Sequence, residues 1–403
     1  MGKYLQIKEI GKVITGKTPS TEDASNFDGK YPFITPSDIK SFDEKYLLET
    51  ERTLSEKGIK KLKNNILPKE AICFVCIGST IGKMCLTNTI AYSNQQINSL
   101  IVNNNFDAHY MFYFLRYIKS YFQQLGAGTG SGKGIVNKTT FENSKVKVET
   151  NKNIQVKIAD ILSTYDNLIE NNNKRIRLLE QMAENLYKEW FVRFRFPGYE
   201  NTKFVDGIPA DWKILRMSDF CYVTDGTHDT PKPVNDGGVP LVTGKCIKNG
   251  FIDFNEPYNI SYQDHESISK RSGLQTGDIL FSNIGTVGTT CLVNYDREFS
   301  VKNVIIFKPG NIKVSNYLYS WLNSDSIQAI FATQTNRASQ QFVGLNFMRR
   351  FKILVPNENV LDLYSDKIKP IRTEIVKLHD INENLTKQRD MLLPRLMSGK
   401  IEV

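Results

Sequence analysis

The 403-residue chain carries 52 Lys and Arg against 43 Asp and Glu, a net charge of +9, with 40% hydrophobic and 24% charged residues. That balance excludes a disordered or fibrous chain, fits two or three folded domains, and leans toward a polyanionic partner such as nucleic acid. No apolar run approaches the roughly 20 residues that cross a bilayer, MGKYLQIKEIGK lacks a signal-peptide core and Gln6 stands where myristoylation needs a hydroxyl, so a cytoplasmic protein with no membrane contact is expected.

Residues 1–150 show short β-branched and aromatic runs broken by Gly, Pro and Asn, the pattern of a β-rich domain. Among them are ITGKTPS (14–20), YPFITPSDI (31–39) and AICFVCIGS (71–79). The last holds Cys73 and Cys76 as a lone CxxC. Three residues apart on a strand, the two thiols point to opposite faces, which suits buried structural cysteines and not a zinc site. Six cysteines in a chain of this length do not make a disulfide framework. Further on, GAGTGSGKGIV (126–136) imitates a phosphate-binding loop, but Ala127 stands at its first glycine and Gly134 at its hydroxyl position. A flexible polar loop with Lys133 at its tip is the expectation.

From Ile154 the period becomes helical, with Ile154, Ile158, Ile161, Tyr165, Leu168, Leu179, Met182 and Leu186 on a coiled-coil seam. A helix from Ile154 to Trp190 would be about 55 Å long and needs a partner for its apolar stripe. Residues 201–355 then repeat the first domain. LQTGDILFSNIGTVGTTCLVN (274–294) answers LPKEAICFVCIGSTIGKMCLTN (67–88), pairing Ile72 with Ile279, Phe74 with Phe281, Gly82 with Gly288 and Cys85 with Cys291. VPLVT (239–243) answers YPFIT (31–35), and TQTNRASQQFVG (333–344), with Arg337 at its tip, answers the glycine-rich loop. A repeat of this length is domain duplication and not a solenoid.

The second helical pattern has its seam at Ile368, Ile371, Ile375, Leu378, Leu385, Leu392 and Leu396. Superposing the seams places Asn172 on Asn382, a pair that either sets coiled-coil register or marks a wet, slightly unwound spot. Pro370 marks either a first turn or a kink, and Pro394 falls near the end. The expected fold is mixed α/β. Two β-rich domains (1–150 and 201–355), related by a pseudo-twofold repeat, are separated by two long antiparallel coiled-coil helices (151–200 and 356–403).

IQVKIADILSTYDNLIENNNKRIRLLEQMAENLYKEWFVRFRFPGYE (154–200) closely resembles the central region of type I restriction specificity subunits, and LLPRLMSGKIEV (392–403) resembles their usual ending. ITGKTPS, YPFITPSDI and ICFVCIGSTIGKM (72–84) are similar to the scaffold of the first target-recognition domain, so the resemblance spans essentially the whole chain. It implies a non-catalytic subunit that recognises bipartite double-stranded DNA, one half per domain, with the helices as spacer. It also implies two methyltransferase subunits docked on the helices, restriction/translocase subunits beyond them, and no cofactor in this chain. S-adenosylmethionine, ATP and Mg would then act in the partner subunits. Residues 201–355 depart further from the family pattern, reading VTDGTHDTPKP (223–233) where the first domain reads VITGKTPST (13–21), which leaves the base-reading residues open.

No dinucleotide fingerprint, HExxH, GxSxG or amino-methyltransferase tetrapeptide occurs, and His109, His228, His265 and His379 lack ligand spacing. His228, in a turn-rich loop, suits a turn residue better than a DNA contact. Loop residues of the types that meet phosphates and base edges are the DNA-binding candidates. In the first domain these are Lys17, Lys83, Gln95, Gln96 and Lys133. In the second they are Lys232, Lys245, Lys302, Asn303, Arg337 and Gln340. Two alternatives are a stand-alone sequence-specific DNA-binding protein and an NTPase using the 126–134 loop.

Overall fold

The run Ile72–Val75 is buried at all four positions, and its side chains alternate between two cores. Ile72 and Phe74 enter one cluster, Cys73 and Val75 the other. A strand with period 2 and apolar residues on both faces must be covered on both sides, and this requirement organises each half of the molecule. The computed structural model describes residues 2–42, 45–47, 49–128, 134–335 and 342–403. They form two units, Met1–Asn173 with His379–Val403, and Lys174–Leu378.

The first unit runs β1 (Lys3–Gln6), α1 (Ile7–Ile10), β2 (Gly11–Thr15), β3 (Phe27–Ile34), β4 (Arg52–Leu54), α2 (Glu56–Lys60) and β5 (Ile72–Val75). It continues with β6 (Met84–Leu86), β7 (Tyr92–Ser93), β8 (Ile97–Val102), α3 (Ala108–Tyr117), α4 (Lys119–Ala127), α5 (Lys138–Asn143), β9 (Lys145–Val148) and α6 (Lys152–Tyr187). Four strands make an antiparallel sheet in the order β2-β8-β5-β6. Three make a second sheet, β4-β3-β7, in which β3 and β7 run parallel, and β1 pairs with β9. One face of the four-stranded sheet meets Tyr110, Phe112 and Phe114 of α3, Phe122 and Phe141. The same core takes Ile158 and Leu162 from the start of α6 and Leu393 and Leu396 from the end of the chain's last helix.

The second unit contains β10 (Phe204–Val205), β11 (Ile208–Pro209), β12 (Lys213–Arg216), α7 (Met217–Phe220), β13 (Tyr222–Asp225), β14 (Val239–Thr243), β15 (Ile247–Lys248), β16 (Phe251–Ile252) and β17 (Asn259–Ile260). After these come α8 (Tyr262–Ser272), β18 (Ile279–Ser282), β19 (Thr290–Leu292), β20 (Ser300–Lys302), β21 (Val304–Lys308), α9 (Ile312–Leu322), α10 (Asp325–Thr335), α11 (Leu345–Arg350), β22 (Lys352–Val355) and α12 (Glu358–Met397). Its sheets repeat the first unit's plan: β13-β21-β18-β19, then β17-β14-β20 with β14 and β20 parallel, and a β12-β22 pair. The duplicated glycines sit alike: Gly82 and Gly288 have φ of +92° and +97° in the turns after β5 and β18, a conformation that favours glycine.

The exit from α6 is a π-helical turn, Lys188–Val192. It drives Trp190 and Phe191 into an aromatic cluster in which the Phe191 ring lies 4.8 Å from Tyr317 and 4.7 Å from Tyr364. The helices pair antiparallel within each unit. In the first, Asp166 bonds Arg389 and Asn172 bonds Asn382, while in the second Arg175 bonds Glu374 and Trp190 packs on Tyr364.

One expectation about the helices needs correction in part. On α6 the buried stripe runs through Ile158, Leu162, Asp166 and Asn172, while Ile161, Leu168 and Met182 lie exposed. The cause is Asp166, a charged residue at a core position, buried because Arg389 meets it at 2.6 Å. The expected seam therefore holds at Ile158 and, half-buried, at Ile154, Tyr165, Leu179 and Leu186, and fails at Ile161, Leu168 and Met182. Of the two readings left open for Pro370, a first turn does not apply. Pro370 sits inside α12 on an exposed position, where solvent can satisfy the carbonyl that loses its hydrogen bond.

Candidate nucleic-acid interface

In the first unit the chain leaves β2 through Gly16 and crosses the loop before β8 at very close range. A Cβ on Gly16 would stand 2.2 Å from the carbonyl oxygens of Ser93 and Asn94, so only glycine fits there. The crossing is fixed by Gly16 N–H to Ile97 O (3.1 Å) and Lys17 N–H to Ser93 O (2.9 Å). One residue on, the Thr18 hydroxyl donates to Gln95 Oε1 at 2.8 Å. Gln96 props the same loop from within: its backbone carbonyl accepts from Cys76 N–H, and its side-chain oxygen accepts from Asn94 Nδ2 at 3.0 Å. Gly78 N–H donates to Gly134 O (2.8 Å), which brings the base of the glycine-rich segment to the neighbouring turn.

The second unit builds the same crossing from other residues. A Cβ on Gly226 would stand 2.2 Å from Val301 O. Gly226 N–H donates to Val304 O (2.9 Å) and Thr227 N–H to Val301 O (3.0 Å). His228 takes the place of Thr18. Its Nδ1 lies 2.8 Å from Asn303 Oδ1 and its Nε2 2.9 Å from Asp225 Oδ2. The other Asp225 oxygen accepts from Arg271. Lys302 Nζ bonds Thr230 Oγ1, and Lys302 aligns in the parallel ladder with Thr243, next to the short turn that carries Lys245.

The candidates named from the sequence thus fall into three groups. Lys17, Gln95, Gln96, Lys302 and Asn303 meet at the two loop crossings, with exposed Lys232 and Lys245 in adjoining segments of the second unit. Lys83 does something different: its ammonium donates to the Ile39 and Lys40 carbonyls (3.1 and 3.0 Å), so it clamps one loop to another within the fold. Lys133, Arg337 and Gln340 lie outside the described residues. Thr18, Asp225 and Arg271 escaped the sequence reading, and His228 there was a turn residue. The available signal was the superposition of TGKT on DGTH about the crossing glycine. The lone CxxC divides between cores, Cys73 on one side of the sheet and Cys76 on the other, and burial pushes the Cys76 thiol up to about 11.

Among the described residues, no helix is long and apolar enough to cross a membrane. The family model for the type I restriction modification DNA specificity domain matches residues 3–181 and again 209–385. The type I restriction enzyme MjaIX specificity subunit of Methanocaldococcus jannaschii is 24% identical over 427 residues, 99% of this chain and 93% of that protein. The MjaVIII specificity subunit of the same organism is 23% identical over 416 residues, 100% of this chain and 93% of that protein. Among solved structures, the type I restriction-modification S subunit from M. genitalium matches with a TM-score of 0.58 at 14% identity, over 98% of this chain and 96% of that one, a likeness of fold. Two copies of one domain, each with its own crossed-loop edge, account for most of the chain, which belongs to the type I restriction-modification DNA specificity family and is a sequence-recognition subunit without catalysis of its own.

Proposed function

We propose that the chain binds a bipartite double-stranded DNA site in the cytoplasm, each unit reading one half through its own crossed-loop edge. The observation that carries this reading is that one scaffold is built twice and fitted with different side chains. A duplicated scaffold supplies two readers; divergent tips supply two different half-sites. The exposed lysines beside the crossings, Lys17, Lys232 and Lys245, suit the phosphates that position such a reader.

The partners are two methyltransferase subunits docked along the long helices, with restriction/translocase subunits joining that assembly. Supporting this, α6 turns Ile161, Leu168, Leu178 and Met182 toward solvent, apolar residues that a docking partner would cover. S-adenosylmethionine, ATP and Mg act in those partners. Co-purification with a methyltransferase separates this reading from a stand-alone DNA-binding protein. The direct test exchanges residues 1–150 for the same region of a relative and maps the recognised motif. One half-site should change and the other stay. A simultaneous change in both would rule out independent readers.

A further inference from the structure

We infer that Gln95 in the first unit and Asn303 in the second are the base-reading amides, each specifying an adenine in its own half-site, with Thr18 and His228 as their positioning residues. The inference rests on the DNA-binding reading above and adds which atoms carry the specificity.

The two amides occupy the same place in the duplicated plan. Each sits in the loop between the short parallel strand and the second strand of its main sheet (β7 to β8, and β20 to β21), at the point where the glycine crossing brings the other loop over it. Each has its side-chain amide met by the second residue after the crossing glycine, at 2.8 Å in both units. The partners nevertheless differ, a threonine hydroxyl in one and an imidazole in the other. One geometry reached with two chemistries marks the amide as what the site is built to hold.

A fixed amide suits an adenine edge. Adenine offers the N7 acceptor beside the N6 amino donor in the major groove, and an Asn or Gln amide answers both at once. In the first unit the Thr18 hydroxyl donates to one lone pair of Gln95 Oε1, which holds the amide in place. The second lone pair and the amino group are left for a base. Gln95 is exposed, so that edge is open. In the second unit the orientation is imposed through a chain of polar groups. Arg271 bonds Asp225, Asp225 bonds the His228 ring, and the ring meets Asn303. Asp225 is 7% exposed and anchors that chain in the fold. Asn303 also holds a left-handed backbone, φ +52°, secured by its N–H donating to Thr227 O at 3.1 Å. Non-glycine residues keep that conformation where the surrounding structure dictates it, commonly at functional loops. Lys17 and Lys302, adjacent in sequence to the positioning threonine and to Asn303, place cationic groups where the flanking phosphates would run.

The test exchanges amide for carboxylate, which preserves shape but removes the donor for N7 and favours the cytosine amino group instead. Full-length Gln95→Glu and Asn303→Asp, each assembled with its partner subunits, are used to select binding sites from a randomised duplex library. Each should lose adenine at one position of one half-site, roughly ten- to a hundredfold, with cytosine gaining there and the other half-site unchanged. His228→Ala, which leaves Asn303 in place, should relax the position altered by Asn303→Asp without favouring a new base. Motifs identical to wild type in both carboxylate variants overturn the inference. A uniform loss of affinity with the motif intact overturns it as well, since that is the behaviour of a phosphate contact. A wild-type assembly that selects no bipartite motif refutes the underlying DNA reading instead, an outcome distinct from either.

Discussion

Asp166 and Arg389 form a buried ion pair between the two long helices. Their side chains are 6% and 2% exposed and meet at 2.6 Å. The Tyr113 hydroxyl donates to the second Asp166 oxygen, and Asp390 backs the guanidinium at 2.9 Å while also pairing with Arg116. Removing one partner of a buried pair strands the other charge in a low-dielectric site. Arg389→Met should therefore lower the unfolding free energy by about 3–5 kcal/mol, read by urea denaturation. Adding Asp166→Leu should recover part of that loss, because it removes the stranded carboxylate, while the buried Tyr113 hydroxyl and the Lys45 ammonium lose the group that faced them. A single variant as stable as wild type would mean that the pair is solvated. His109 makes a second prediction at this scale. Burial, and then the neighbouring Lys45, hold its imidazole below the ordinary value. Between that lowered value and about 6.5, the unfolded chain binds the proton and the folded chain does not, so stability falls as pH drops through this window. His109→Gln should flatten that slope; an unchanged slope assigns it to other groups.

At the scale of elements, the two long helices differ in how plainly the sequence describes them. The seam of α12 keeps its apolar residues covered or half-covered from Ile368 to Leu396, with Asn382 and Arg389 as its polar positions, and its end is marked by Gly399 at φ +72°, with Lys400 N–H returning to Arg395 O at 2.9 Å. The stripe of α6 is obscured because a buried ion pair occupies a position that hydrophobic periodicity reserves for an apolar residue. Asn172 and Asn382 bond directly, Nδ2 to Oδ1 at 2.9 Å, and Asn382 Nδ2 reaches Asn173 Oδ1 at 2.9 Å. Asn172→Leu alone should destabilise by about 1–3 kcal/mol, since it leaves the Asn382 amide partly unanswered. Asn172→Leu with Asn382→Leu should instead raise the denaturation midpoint while broadening the distribution of spin-label distances between α6 and α12, the signature of lost register. A double variant with wild-type distances would assign the asparagines to solvation.

For the whole molecule, the proposed spacer role makes a length prediction. Four residues inserted between Asn173 and Lys174, matched by four between Leu378 and His379, extend the antiparallel pair by about 6 Å. That is close to two base pairs at about 3.4 Å each. A library of spacer lengths should show its optimum moved outward by one or two base pairs, with weaker binding because helix and duplex rotate by different amounts. An unmoved optimum in a folded variant would mean that something else sets the gap. The sequence by itself determined the duplication, the doubly buried central strands, the second seam and the family, because repeats, periods of 2 and 3.5, and turn glycines are local and survive in one dimension. Only the tertiary structure decided that Thr18 meets Gln95 across 77 residues and that Asp166 meets Arg389 across 223. Polar partners carry no periodic signal, and which of them meet depends on how the sheets and helices close around them.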